Sequence, residues 1–270
     1  MTKRRIPAAA AAAALASTAL IAASALPAQA APNDVVRFNF DGISLGSHPT
    51  TIPNQGTGPA ANVVSENGGQ VTVVNSRSGQ GRAIDFPDHA APITGPRAVI
   101  AVPGTTLPQV GTNRLVWRAD FRLDTGTTAT SGSADDGDNL LQRGLAGTAA
   151  QYKLQVDGER PSCTLWTAAS GETVTARLTS AQKVHRGQWY TATCTRSGKK
   201  LTLTVVGHTG PHAGTTLTAT NTSSTVLDLQ HPATVPITVG GKMYHNTHIP
   251  RSSTDQFNGL VDNVKVSIGE

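Results

Sequence analysis

The segment Arg114–Leu123 constrains the fold most. Leu115, Trp117, Ala119, Phe121 and Leu123 fall on one side of a period-two pattern. Arg114, Arg118, Asp120 and Arg122 fall on the other, interrupted only by Val116. Successive side chains of an extended strand point to opposite faces, so this is a strand with one packed and one wetted side, as antiparallel sheets have. The pattern recurs: Leu201, Leu203 and Val205 alternate with Thr202 and Thr204, and Tyr152, Leu154 and Val156 alternate with Lys153 and Gln155. Asp262, Val264, Val266 and Ile268 alternate with Asn263, Lys265 and Ser267 near the end. No long stretch has helical periodicity, while Gly, Thr, Ser and Val are abundant. These features predict an all-β sandwich of two antiparallel sheets, formed by one domain over residues 31–270.

Turn chemistry separates the runs. Asp157-Gly158 and Ser197-Gly198 each lie between strand-like segments, so each is a hairpin candidate. Residues 46–58 and 125–138 read as loops, and 207–224 as a loop or an edge strand near Thr215–Thr220.

The first thirty residues stand apart. Lys3, Arg4 and Arg5 precede an apolar, alanine-rich run, and Ala28-Gln29-Ala30 supplies a small-x-small cleavage site. That order predicts a secretory signal peptide over residues 1–30 and an extracellular, secreted mature chain. Its removal lowers the net charge from +5 to +2, with 19 basic against 17 acidic residues remaining. No basic block is left to serve as a nucleic-acid footprint, and no further apolar run is long enough to span a membrane. The two cysteines, Cys163 and Cys194, both lie in the mature part, and an even count in an exported chain predicts a disulfide.

Six segments resemble, in order, the motifs of the laminin G-like (concanavalin A-like) jelly roll of bacterial secreted proteins. They are Phe38-Asn39-Phe40-Asp41-Gly42, Gly81-Arg82-Ala83-Ile84-Asp85-Phe86, Gly187-Gln188-Trp189-Tyr190, the hairpin Ser197–Val205, Pro236–Gly240 and the closing run Phe257–Val266. The resemblance spans nearly the whole mature chain. Asn139–Gly144, Tyr152–Gln155 and Pro161-Ser162-Cys163 are similar to an actinobacterial variant, in which the second cysteine follows the tryptophan strand as Cys194 does. The resemblance implies that the first and last strands lie side by side.

Enzymes occur on this fold, and their signatures are missing. Glucanases of this architecture carry paired carboxylates on one strand, one as nucleophile and one as acid/base. The four glutamates here, Glu66, Glu159, Glu172 and Glu270, have no partner carboxylate at strand spacing. The lyase strands with their Arg, His, Tyr and Lys pattern do not occur together, nor does a Gly-x-Ser-x-Gly elbow with partners. The chain reads as non-enzymatic.

The resemblance also implies one structural calcium, with Asp262 of the closing strand as a ligand and Asp41 as a second candidate. The alternative for Asp262 is a hydrogen bond to backbone near that strand. Asp135-Asp136-Gly137-Asp138 reads as a solvated loop tip rather than a second calcium loop, and His245 with His248 as surface residues rather than a zinc pair.

A binding face remains. Sugar sites combine an exposed aromatic with planar polar groups. Trp117 and Trp189 sit in core-facing patterns, which leaves Trp166 and Tyr244 as candidate platforms. Arg118, Arg122, Arg143 and Lys153 form either a polar strip on a wet sheet face or a plain solvated surface. The expected function is a secreted, non-catalytic module binding an extracellular glycan or a cell-surface protein. The alternatives are a polysaccharide hydrolase or lyase with an atypical site, and a structural or adhesive protein without a small ligand.

Overall fold

A computed structural model describes residues 33–79, 81–88, 95–125, 138–244, 248–250 and 255–269. The segment expected to be a signal peptide, Asp135–Gly137 and His245 lie outside them.

The strands in chain order begin with β1 (Asn33–Phe38), β2 (Thr51–Ile52), β3 (Ala61–Glu66), β4 (Thr72–Asn75), β5 (Arg82–Asp85), β6 (Arg97–Val102) and β7 (Arg114–Leu123). There follow β8 (Asp138–Arg143), β9 (Ala150–Asp157), β10 (Arg160–Thr167), β11 (Thr173–Arg177) and β12 (Trp189–Ser197). The series ends with β13 (Lys200–Gly207), β14 (Thr216–Thr222), β15 (Ile237–Val239) and β16 (Gly259–Gly269).

They form two eight-stranded sheets in which every pairing between strands is antiparallel. The first runs β14-β13-β12-β7-β16-β5-β4, with β1 also on β16. The second runs β11-β10-β9-β8-β15-β6-β3-β2. β1 pairs β16 from Asn33↔Ile268 to Phe38↔Val264, so the first and last strands lie side by side. β16 therefore serves two partners along one edge: β5 pairs with Leu260 and Val261, and β1 takes over from Val264, within the bulge between Asp262 and Lys265. Asn263 sits in that bulge with φ 46°, the left-handed region that asparagine tolerates better than most residues.

The inward residues of both sheets close over one interior. Leu115, Trp117, Phe121, Tyr190, Leu203 and Val266 from the first sheet meet Ile100, Leu141, Tyr152, Leu154, Leu165 and Val239 from the second. Burial of this apolar surface is the main force holding the sheets face to face. Cys163 of β10 and Cys194 of β12 form the expected disulfide, with Cα atoms 5.7 Å apart, and stitch one sheet to the other through this interior.

Both hairpins are present: Asp157 pairs Arg160 and Ser197 pairs Lys200. In the first, Gly158 and Glu159 both have positive φ, the requirement of the two-residue turn whose twist matches the strands. The ambiguous segment is an edge strand, β14, and the first long loop holds the two-residue strand β2. Among the described residues no helix is long and apolar enough to cross a membrane.

Three expectations about side chains need correction. Arg143 is on no wet face: it points into the sandwich opposite Tyr152 and is fully buried. There its Nε donates to Val235 O at 3.3 Å and Nη1 to Pro108 O at 2.8 Å. The four cations cannot form one strip, because Arg118 and Arg122 belong to the first sheet and Arg143 and Lys153 to the second. Trp189 does not face the core. It lies opposite Arg122 on the outer side of the first sheet, buried in a small cluster with Ala83 and Leu260.

Candidate functional site

The outer face of the second sheet carries a cleft lined by Gln142, Gln151, Lys153 and Tyr244. Its floor comes from strand parity. Tyr152, Leu154 and Val156 of β9 face inward, so Gln151 and Lys153 face out. Gln142 pairs with both Lys153 and Thr238 and shares that face. The floor is therefore two amides and an ammonium, donors and acceptors suited to hydroxyl groups.

Two loops raise the walls. The turn after β8 places Leu145 and Ala146 on one side. Gly144 makes that turn with φ +77°, and a Cβ there would collide with Ala150 O. Gln142 Nε2 and Gln151 Nε2 both donate to Gly144 O at 3.3 Å, tying the turn to the floor. On the other side runs the segment after β15. Gly240, with φ +84°, lies flat on the Phe86 ring, where no side chain would fit. Met243 and Ile249 then clamp the segment to the sheet by packing on Val99 and Ala101.

Between those two anchors stands Tyr244, 48% exposed, the most exposed aromatic among the described residues. Tyr244 N donates to His248 O at 2.7 Å, and the two rings meet edge to face with centroids 5.7 Å apart. Asp255 closes the end of the cleft. Its Oδ2 accepts from Lys242 Nζ at 3.0 Å and from Asn139 Nδ2 at 3.1 Å, while Asn139 Nδ2 also reaches Gln142 Oε1 at 2.7 Å. The cleft encloses about 590 Å³ and adjoins a second hollow of about 360 Å³ lined by Thr234, Pro236 and Thr238.

Of the expected ligand contacts, the structure brings together Lys153 and Tyr244. Trp166 lies one strand beyond the floor, half-buried and opposite Gln151. Arg118 and Arg122 face outward on the other sheet, and Arg143 is inside. Gln142, Gln151, Lys242 and Asp255 were not anticipated. The alternation that turns Lys153 outward implies Gln151 as well; the others come from segments whose proximity no local pattern encodes.

The outer face of the first sheet holds a separate polar network. Asp120 Oδ1 accepts from Thr191 Oγ1 at 2.5 Å and from Arg118 Nη2 at 3.2 Å, and its Oδ2 from Asn263 Nδ2 at 3.0 Å. Thr191 Oγ1 also lies 2.7 Å from His208 Nε2. Asp262, opposite Asp120, accepts from Ser76 Oγ at 2.5 Å and from Asn263 N at 2.6 Å. Burial raises its pKa to about 6, reinforced by the nearby negative charges of Asp120 and Asp41. Asp41 Oδ1 accepts from Arg82 N at 2.8 Å. The carboxylates that the resemblance offers to calcium are thus engaged as anchors of backbone and hydroxyl groups. Among the described residues no three His, Cys, Asp or Glu side chains come together to hold a metal.

Residues 144–268 match the laminin G domain family. No curated protein matches the sequence. Among solved structures, domain 4 of AbnA, a GH43 extracellular arabinanase from Geobacillus stearothermophilus, in complex with arabinotriose, is similar with a TM-score of 0.55 at 14% identity. That match covers 88% of this chain and 93% of the other. The binding domain of botulinum neurotoxin serotype G also gives 0.55, at 8% identity, covering 87% of this chain and 47% of the other, about half its length. At such identities the likeness concerns fold alone.

Proposed function

Because the chain carries a laminin G-like jelly-roll domain, we propose that it is an exported, non-catalytic module that binds an extracellular glycan in the cleft beside Tyr244. The observation that carries this reading is the exposed Tyr244 ring held over a floor of Gln142, Gln151 and Lys153. A sugar ring presents apolar C–H faces to an aromatic and hydroxyls to amides, and the cleft supplies both. The solved arabinanase domain, described in complex with arabinotriose, supports the idea that a sheet scaffold of this shape accommodates a short sugar chain.

The acid–base inventory of the cleft favours binding over cleavage. Glycoside hydrolysis uses two carboxyl groups flanking the scissile bond. Among the described residues the cleft lining includes one, Asp255, paired with Lys242.

A glycan array probed with the purified protein, alongside a reducing-end assay on the polysaccharides that bind, tests the proposal. The expected result is retention of at least one glycan, lost in Tyr244→Ala, with no new reducing ends or unsaturated products. Release of either product would replace binding by catalysis. Silence in both assays would point to a structural or adhesive role.

A further inference from the structure

The three tryptophans of this chain differ sharply in setting. Trp117 is wholly enclosed in the core and Trp189 is 7% exposed under its own apolar cluster. Trp166 alone is half-open, and strand parity turns it outward. Cys163 and Leu165, its neighbours on β10, face the core, so Ser162, Thr164 and Trp166 share the outer face. Its cross-strand partners are Gln151 on β9 and Thr173 on β11. Gln151 is part of the cleft floor, so Trp166 continues that floor by one strand.

The two aromatics bracket the polar floor. β10, β9, β8 and β15 are consecutive in the sheet, and Tyr244 stands on the segment that leaves β15. Three strand steps cover ~15 Å at about 4.8 Å each. The strand residues between them offer Gln151, Lys153 and Gln142, with Leu145 on the wall beside them. A flat ring at one end, polar groups between and an exposed ring at the other match a linear chain of sugars laid across the strands, not a single sugar in a pit.

We propose that Trp166 is a second stacking platform, and that the ligand is an oligosaccharide long enough to rest on Tyr244 and Trp166 together. This rests on the glycan-binding reading of the cleft and adds its chain-length requirement and a specificity residue.

The test is a length series of arabino-, xylo-, cello- and chito-oligosaccharides, from the disaccharide upward, titrated calorimetrically into the full chain. Affinity rises with length until both rings are covered. Trp166→Ala removes about tenfold of the gain on lengthening, the size expected of one stacking contact. Trp166→Phe keeps most of that gain, which separates loss of a platform from loss of folding. The long ligand shields tryptophan fluorescence from acrylamide more than the short one does, since Trp117 and Trp189 are buried and Trp166 is the half-open ring. Equal affinity for all lengths, or the same length dependence in Trp166→Ala as in the natural chain, would overturn the inference while leaving the cleft reading intact. Failure of every length to bind would remove the cleft reading and this inference with it.

Discussion

Cys163 and Cys194 stand on different sheets, and their bond crosses the interior next to Leu203 and Leu154, the residues paired with each in its own sheet. The link closes 31 residues of chain that include the β10–β11 and β11–β12 connections. By chain entropy such a loop contributes about 3–4 kcal/mol. Replacing both cysteines by alanine should lower the unfolding free energy in urea by about that amount. A thiol titre near zero in denaturant without reductant checks the bond itself.

Arg143 is a buried cation that works through carbonyls. It holds Pro108, from the segment before β7, and Val235, from the segment before β15. Burial lowers its pKa, yet the guanidinium remains the charged form at any ordinary pH. Arg196 does the same nearby, donating to Leu227 O, Gly111 O and Asn113 O. Together they staple the crossing loops at one end of the sandwich. Truncating Arg143 to alanine leaves two carbonyls unpaired and a void, at about 3 kcal/mol. Chemical denaturation should show this loss, and lysine should not restore it, because an ammonium lacks the fork that reaches both carbonyls.

Buried carboxyls and a buried histidine set opposing pH dependences. Burial, then Asp124 and Asp88, push the Asp85 carboxyl up to about 6. Its folded form takes up a proton before the unfolded chain does, so its contribution is full below pH ~4 and is lost as pH rises through about 6. Burial and the Arg143 charge push His231 down to about 3. Its contribution is present above pH ~6.5 and falls away with acidification towards 3. The Asp262 carboxyl, also pushed up to about 6, acts in the same sense as Asp85, so between pH 4 and 6 His231 offsets only part of the gain from the two carboxyls. Acidification across this window should change the melting temperature less favourably in Asp85→Asn than in the natural chain, and more favourably in His231→Phe.

Asp262 and Asp41 give a simple ion test. Asp262 accepts from Ser76 and Asn263, and Asp41 Oδ1 from Arg82 N; if these bonds alone do the anchoring, EDTA should leave the melting temperature unchanged. A fall reversed by calcium would assign them to an ion.

Strand alternation made much of this fold legible. The Arg114–Leu123 pattern and the two Gly turns mark real strands and hairpins because local sterics and burial agree there. Trp189 shows the limit. Trp189 and Tyr190 are adjacent large aromatics, so period two says that one faces in without saying which; the register with Ala192 and Cys194 selects Tyr190. Arg143 was illegible for another reason. All six residues of β8 are buried, outer side included, because loops cover that face, so no contrast survives to read. Lys153 and Tyr244 were identifiable singly as a polar strand residue and a loop aromatic. Their meeting depends on β15 inserting between β6 and β8, a long-range pairing with no local trace.

The most direct measurement is a crystal structure of the chain with an oligosaccharide retained by the array. A sugar ring should stack on Tyr244, with hydroxyls contacting Gln142, Gln151 or Lys153 and every glycosidic bond intact. A sugar seated instead on the outer face of the first sheet, beside Asp120 and His208, would contradict it.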